Sequence, residues 1–244
     1  MFSLLLSLFV MGFAWQVYQK TNDHKVAEVL RPIAIFLVGT CHLVMQGWAL
    51  KSNAAFYLLL FWAASHSFFT LVTNVKKERV AFHYQALIKS WPFDVKSYFL
   101  FYLMQGLYAW ILALPFYFIA KQTGYSGFDM LVTTGILVSI FLELAADLNR
   151  YFFKKNGGTG IYQKSLWKLC RHPNYFFLWL TWLGFSCLGL SDLVSFISVF
   201  PCLFLFFIIR LYFIPISEQY LLEKHSEAYR KYQKEVPAFI PYWH

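Results

Sequence analysis

The chain has 244 residues, of which 59% are hydrophobic, 22% aromatic and only 14% charged. Soluble domains carry about 25% charged residues, so this composition excludes a soluble globular enzyme and a disordered chain, and points to an all-α integral membrane protein forming one domain over 1–244. The net charge of +9 would suit nucleic acid as a partner, but the placement of the basic residues argues against it.

A membrane span needs about 20 mainly apolar residues to cross a hydrocarbon core about 30 Å thick. Seven stretches qualify, at 1–18, 33–50, 54–75, 98–120, 129–146, 175–190 and 193–214. The first lacks a basic leader and a small-x-small cleavage site, so it reads as a retained span and not as a signal peptide. The sixth is short enough to be re-entrant.

Cytoplasmic loops of membrane proteins carry an excess of Lys and Arg. An outside N-terminus puts Lys20, Lys25, Arg31, Lys76, Lys77, Arg79, Lys89, Lys96, Arg150, Lys154, Lys155, Lys164, Lys168, Arg171, Lys224, Arg230, Lys231 and Lys234 on one side. Only Lys51 and Lys121 fall on the other, and Arg210 sits within the last span. The expected topology is therefore about seven transmembrane helices with the N-terminus outside. It predicts cytoplasmic segments at 76–97, 147–174 and 215–244, the last an amphipathic helix and tail. Any active site for a soluble cofactor is then expected to face the cytoplasm. The positive charge is then orientation bias with some contact to anionic lipid, and no nucleic acid is called for. No internal repeat supports a transporter built from paired halves. Cys41, Cys170, Cys187 and Cys202 form no CxxC pair, so free thiols are expected and no metal site.

Several polar groups interrupt the apolar stretches. His42 and His66 each read as a packing histidine bonded to a neighbouring carbonyl; His66 stands out because Ser65 and Ser67 flank it. Glu143 lies in the last turns of the fifth span, where a carboxylate costs about 2–3 kcal/mol unless it reaches water or a partner. Asp147, Arg150 and Lys154 follow at i+4, i+7 and i+11, along one helical face. Such a stripe can meet ribose hydroxyls with its acids and phosphates with its bases, or can simply be a helix end in water. Asn156-Gly157-Gly158-Thr159-Gly160 lacks the Lys-Ser/Thr of a phosphate loop and the third Gly of a dinucleotide fingerprint, so it reads as a bare turn. Pro173 disfavours helix at His172 and suits the first turn of the next helix. Arg171, His172 and Asn174 are then presented at a helix start, where backbone N–H groups favour an anion. Interfacial anchoring by Arg171, Trp167 and Tyr175 is the plainer alternative. From Ser217 to Lys234, Leu221, Leu222, His225, Tyr229, Tyr232 and Val236 recur near helical spacing, and Glu227 can pair with Lys231. That helix either lies on the membrane or closes as a lid over the preceding loop.

The run Leu166-Trp167-Lys168-Leu169-Cys170-Arg171-His172-Pro173-Asn174-Tyr175-Phe176 resembles the signature of the steroid 5-alpha-reductase-like membrane family, chiefly its bacterial branch. Further likeness lies in His83-Tyr84 through Trp91-Pro92-Phe93, in Glu143 to Asp147, and in Tyr220 through Tyr232 to Pro241. The likeness covers roughly 75–244. It implies a seven-helix reductase with NADPH in a cytoplasm-facing cavity, passing a hydride to a double bond of a hydrophobic, lipid-like enone, steroid or isoprenoid. Asp147 matches the family acid that contacts the nucleotide, and Glu143 a polar position one turn earlier. Arg171, His172, Asn174 and Tyr175, with Trp167 in the lead-in, match the cofactor signature, and Arg210 and Tyr220 match later polar positions. The cofactor-binding set expected is thus Glu143, Asp147, Lys154, Trp167, Arg171, His172, Asn174, Tyr175, Arg210 and Tyr220. Phe177 and Leu178 replace the Gly-Glu of the signature, and the resemblance identifies no catalytic residue.

The same Arg-His-Pro signature occurs in isoprenylcysteine carboxyl and phospholipid methyltransferases, which bind S-adenosylmethionine. A methyltransferase and a non-catalytic family member therefore stand beside the reductase as alternatives; Asn174 and Trp182-Leu183-Gly184 favour the reductase.

Overall fold

A computed structural model describes residues 1–73 and 96–242. The expected inner segment 76–97 falls almost wholly outside these residues, with the block from His83 to Phe93. The described chain is helical throughout. Its helices are α1 (Phe2–Thr21), α2 (Lys25–Gln46), α3 (Leu50–Val72), α4 (Lys96–Leu112), α5 (Leu114–Ala120), α6 (Gly127–Lys155), α7 (Pro173–Gly189), α8 (Phe200–Ile208) and α9 (Ile214–Glu235). A 3-10 turn at Ser165–Lys168 precedes α7, another at Val194–Val199 leads into α8, and a π turn at Ile209–Phe213 joins α8 to α9.

Six stretches are long and apolar enough to cross a membrane: Phe2–Thr21, Lys25–Gln46, Leu50–Val72, Tyr98–Ala120, Gly127–Lys155 and Val194–Glu235. The chain is an all-helical, multi-pass membrane protein. The expected sixth span is α7, whose 17 residues rise only about 25 Å; Pro173 sets its start and Leu190 its end. Val194–Glu235 has 42 residues, twice the roughly 20 that one crossing needs. Its apolar first half can span, and the charge-rich α9 runs beyond it.

Close packing rests on small residues. The buried face of α1 is Ser3, Ser7, Met11, Ala14 and Tyr18, spaced by three and four. Against it lies Gly106 of α4, where an added Cβ would stand 3.2 Å from the Ser7 carbonyl oxygen. Without water to expel, membrane helices associate by such close backbone approach. The central core gathers Val38, Leu59, Ala109, Phe116, Trp182 and Phe185.

The expected fourth span is broken. Pro115 has no N–H to give, and the helix stops at Leu112 and restarts at Leu114. Trp182 Nε1 donates to the Leu112 carbonyl at 2.8 Å, and His42 Nδ1 lies 3.1 Å from that of Ala113. His42 is thus the carbonyl-bonded packing histidine expected, answering a backbone group that hydrocarbon cannot.

At one end of the bundle a polar staple joins three helices and the loop after α5. Lys51 Nζ lies 2.8 Å from Asp129 Oδ1 and donates to Gln122 Oε1 at 2.5 Å. Gln122 Nε2 donates to the Leu188 carbonyl at 3.1 Å, and Asp129 closes a capping box with Ser126 at the start of α6. Lys51 and Lys121, the two basic residues expected outside, therefore share an end of the bundle.

Candidate functional site

The second polar region forms around the chain between α6 and α7. Gly157 takes φ +79, and a Cβ on Gly158 would meet the Phe153 ring at 2.4 Å. The glycines end a helix against an aromatic ring, as the bare-turn reading expects. Trp167 is buried in the following 3-10 turn and donates from Nε1 to the Ala146 carbonyl at 3.0 Å, which holds the loop to α6. Pro173 opens α7, and His172 before it is non-helical at φ −134, ψ 59.

Arg171 is buried, and its donors point at the C-terminal segment. Nε donates to Glu218 Oε1 at 2.8 Å. One terminal nitrogen donates to the Gln233 carbonyl at 3.0 Å and also to that of Val236. The Arg171 backbone N–H donates to the Pro237 carbonyl at 2.8 Å. His172 Nε2 lies 3.3 Å from the same Glu218 oxygen, and Gln233 Nε2 donates to the other at 2.8 Å. The His172 ring stacks on Tyr175, whose hydroxyl is 3.3 Å from Ser217 Oγ. The signature residues thus fasten the last helix to the loop. Glu218 is the functional residue that sequence reasoning missed; its one signal was an acid just beyond the last apolar run. Burial alone would push its carboxyl up, but the hydrogen bonds from His172 and Arg171 hold it down at about 2. A carboxyl depressed in the folded state stabilises it above its ordinary value near 4.5 and loses that contribution as pH falls toward about 2. The clamp therefore stays charged from neutral into mildly acidic solution.

The expected stripe on α6 divides between two pockets. Glu143 turns toward α3, where His66 Nε2 lies 3.1 Å from its Oε1, so His66 meets a carboxylate in place of the neighbouring carbonyl expected. These two, with Ser65, Phe69, Ile140, Leu144 and Asp147, line a small pocket with an empty volume of ≈ 240 Å³. Asp147 Oδ1 accepts from Asn174 Nδ2 at 3.3 Å. Asn174 is buried, and its Oδ1 has no hydrogen-bond partner among the described residues.

Arg150 and Lys154, farther along the stripe, line the larger pocket, with an empty volume of ≈ 520 Å³. Arg171, Lys224, Trp167, Tyr162, Tyr220 and His225 also line it, and no carboxylate does among the described residues. Arg150 lies over the Trp167 ring at 5.2 Å, and Lys224 Nζ donates to Tyr220 Oη at 3.4 Å. Burial, then Lys224 and Lys154, hold the His225 imidazole below its usual range, a sign of positive potential in the pocket.

One wall of this pocket is α9, which is docked onto the protein and not merely lying on a membrane. Tyr229, Tyr232 and Val236 form a second apolar cluster with Ile161, Leu221 and Leu222, and Tyr232 Oη donates to the Trp167 carbonyl. The helix kinks at Ser226, which takes φ 39. The expected Glu227–Lys231 pair is not formed: Glu227 pairs with Arg230 at 2.9 Å, and Lys231 with Glu235 at 3.9 Å. An i+3 partner within reach displaces the i+4 one.

Of the ten residues expected at a cofactor, Lys154, Trp167, Arg171 and Tyr220 line the larger pocket. Asp147 and Glu143 line the smaller one, with Asn174 bonded to its rim. His172 and Tyr175 belong to the clamp. Arg210 is exposed on the π turn and lines neither pocket. Leu178, at the position of the signature carboxylate, packs against the main core and also lines neither. All four cysteines are free.

Residues 13–236 match the family described as "Protein of unknown function (DUF1295)", and the chain belongs to that family, which is steroid 5-alpha-reductase-like. The match begins well before residue 75, so the likeness takes in the first helices as well. No curated protein and no solved structure matches the chain.

Proposed function

We propose that this member of the family is a membrane-embedded, NADPH-dependent reductase acting on a conjugated double bond of a lipid-like molecule. One observation carries the reading: four basic residues, Arg150, Lys154, Arg171 and Lys224, line the pocket beneath α9. A dinucleotide bearing a pyrophosphate and a 2′-phosphate is a polyanion, which such a lining attracts. S-adenosylmethionine carries a sulfonium cation, which the same lining disfavours, so the methyltransferase reading finds less support. Tyr162 and Tyr220, both half-buried in the lining, are the rings on which a base can lie.

When bound, the dinucleotide would supply a hydride to the double bond. The chain's own residues hold and orient. Lys154 and Lys224 would meet phosphate oxygens. The Arg171–Glu218 clamp keeps α9 in place as a wall against water. Asn174, oriented by Asp147, presents a buried acceptor that suits an amide N–H. The basic loops expected in the cytoplasm flank this pocket, where a soluble dinucleotide is at hand.

The test is thermal unfolding of the detergent-solubilised protein with NADPH, NADH or S-adenosylmethionine. A ligand at 100 times its Kd stabilises by about 2.7 kcal/mol. The reading expects the largest shift with NADPH and none with S-adenosylmethionine. A shift with S-adenosylmethionine alone would establish the methyltransferase instead, and no shift with any would favour a non-catalytic member.

A further inference from the structure

Between Asp192 and Glu218 the chain carries a single charged residue, Arg210. It lies in the π turn Ile209–Phe213, within the apolar half of the last stretch able to cross a membrane. Leu211, Tyr212, Phe213, Ile214, Pro215 and Ile216 follow it, so it does not stand at a polar helix end. A charged side chain within a span is costly unless it reaches water or an opposite charge. The described protein supplies no opposite charge. Arg210 lines neither pocket and has no hydrogen-bond or ion-pair partner among the described residues. The next acid along the chain, Glu218, is occupied: Arg171 and His172 hold one oxygen and Gln233 the other.

The side of the helix that Arg210 joins faces outward. Phe200, Leu203 and Phe207 are exposed, and Leu211 continues the series. Their spacing by three and four keeps them on one helical face. Arg210, itself exposed, stands at the edge of that face between Phe207 and Leu211. From Phe200 to Arg210 the helix rises about 15 Å, half of a hydrocarbon core about 30 Å thick and so the depth of one leaflet. Tyr212 is exposed at the same level, and tyrosine marks the headgroup boundary of membrane helices. The long stem of an arginine can lie among acyl chains while its guanidinium reaches that boundary.

We infer that Arg210 holds the phosphate of a phospholipid, in the leaflet beside the basic pocket, with the acyl chains lying along Phe207, Leu203 and Phe200. The guanidinium fork matches two phosphate oxygens, and the phosphate brings the negative charge that the described protein withholds. Arg210 thereby leaves the nucleotide set in which the family resemblance would put it. The inference is independent of the reductase reading, because a lipid on the outer face needs no cofactor.

Photolabelling of the full-length protein in phosphatidylcholine nanodiscs tests it. One probe is a phosphatidylcholine with a diazirine near the glycerol end of an acyl chain. The other is the diacylglycerol with the same chains and no phosphate. Labelled peptides are mapped by mass spectrometry and normalised to the other lipid-facing helices. Over residues 203–212 the phospholipid should label about tenfold more than the diacylglycerol, the scale of one hydrogen bond to a charged group. The ratio should fall toward one in Arg210→Gln and persist in part in Arg210→Lys, which keeps the charge. Arg230→Gln, which breaks an exposed ion pair on α9, should leave it unchanged, as should saturating inorganic phosphate. If Arg210→Gln does not fold, the parent ratio and its reduction in Arg210→Lys decide. A parent ratio near one, or an equal ratio in Arg210→Gln, overturns the inference. Labelling displaced by inorganic phosphate also overturns it and makes the site one for a soluble anion. Weaker NADPH binding by Arg210→Gln with unchanged lipid labelling would return Arg210 to the nucleotide.

Discussion

Two ends of this bundle each bury an ion pair, and they differ in what surrounds it. At the first, Lys51 and Asp129 sit 2.8 Å apart, with Gln122 and Ser126 as further partners, and neither described pocket reaches them. At the second, Arg171 and Glu218 are also 2.8 Å apart, but Arg150, Lys154 and Lys224 stand beside them around open space. A buried pair in such a chain is first a fastening between helices. Function is to be sought where several basic side chains line a cavity next to the fastening.

The sharpest way to break this contrast is to remove one partner at each end. Arg171→Ala leaves Glu218 buried without its guanidinium and drops three carbonyl and carboxylate contacts, so a loss of about 3–5 kcal/mol is expected. It should appear as a lower Tm together with rapid proteolysis within α9. Proteolysis no faster than in the parent would show that the apolar cluster under α9 suffices to hold it. Lys51→Met should destabilise on a similar or slightly smaller scale, but without loosening α9 or changing nucleotide affinity. Adding Asp129→Leu to it should restore part of the stability, because an apolar replacement of both partners can be neutral, while the lost capping box with Ser126 keeps a deficit of about 1 kcal/mol. Nucleotide affinity that fell in the double variant would mean the two ends are coupled.

The smallest expected effect concerns His225. Its imidazole is held below the usual range by burial and by Lys224 and Lys154, so it is neutral at neutral pH and gains its charge only on acidification. That added cation in the pocket should strengthen binding of a polyanion as pH falls. Between pH 8 and 5.5 the parent should gain affinity by roughly two- to fourfold relative to His225→Ala, the scale of a surface charge interaction. Parallel pH profiles would remove His225 from the pocket's electrostatics.

Local features were legible in the sequence and long-range pairings were not. Apolar length marked six of the seven expected spans, Asn156 to Gly160 read as a turn, and His42 read as a packing residue. Each of these depends on a few neighbouring residues. Pro115 carried its own warning of the break after Leu112, which span-length reasoning passed over. Arg171 was seen as a ligand for an outside anion because its partner Glu218 lies 47 residues away, and nothing in local spacing links the two. The face shared by Glu143, Asp147, Arg150 and Lys154 was real as a helical face, but α3 and α9 claim different parts of it. Only the packing of those helices decides which acid meets His66 and which bases meet the tail.

The central claim is that the basic pocket beneath α9 holds a phosphorylated dinucleotide, and NADPH fluorescence titration in nanodiscs tests it most directly. Parent protein is compared with Lys154→Ala/Lys224→Ala, which removes two exposed lining cations outside the Arg171–Glu218 clamp. The account predicts saturable NADPH binding by the parent and an affinity at least about tenfold weaker in the variant, which is roughly 1.4 kcal/mol, with an unchanged Tm in the absence of nucleotide. Equal affinity in the two proteins, or no saturable binding by the parent, would contradict it.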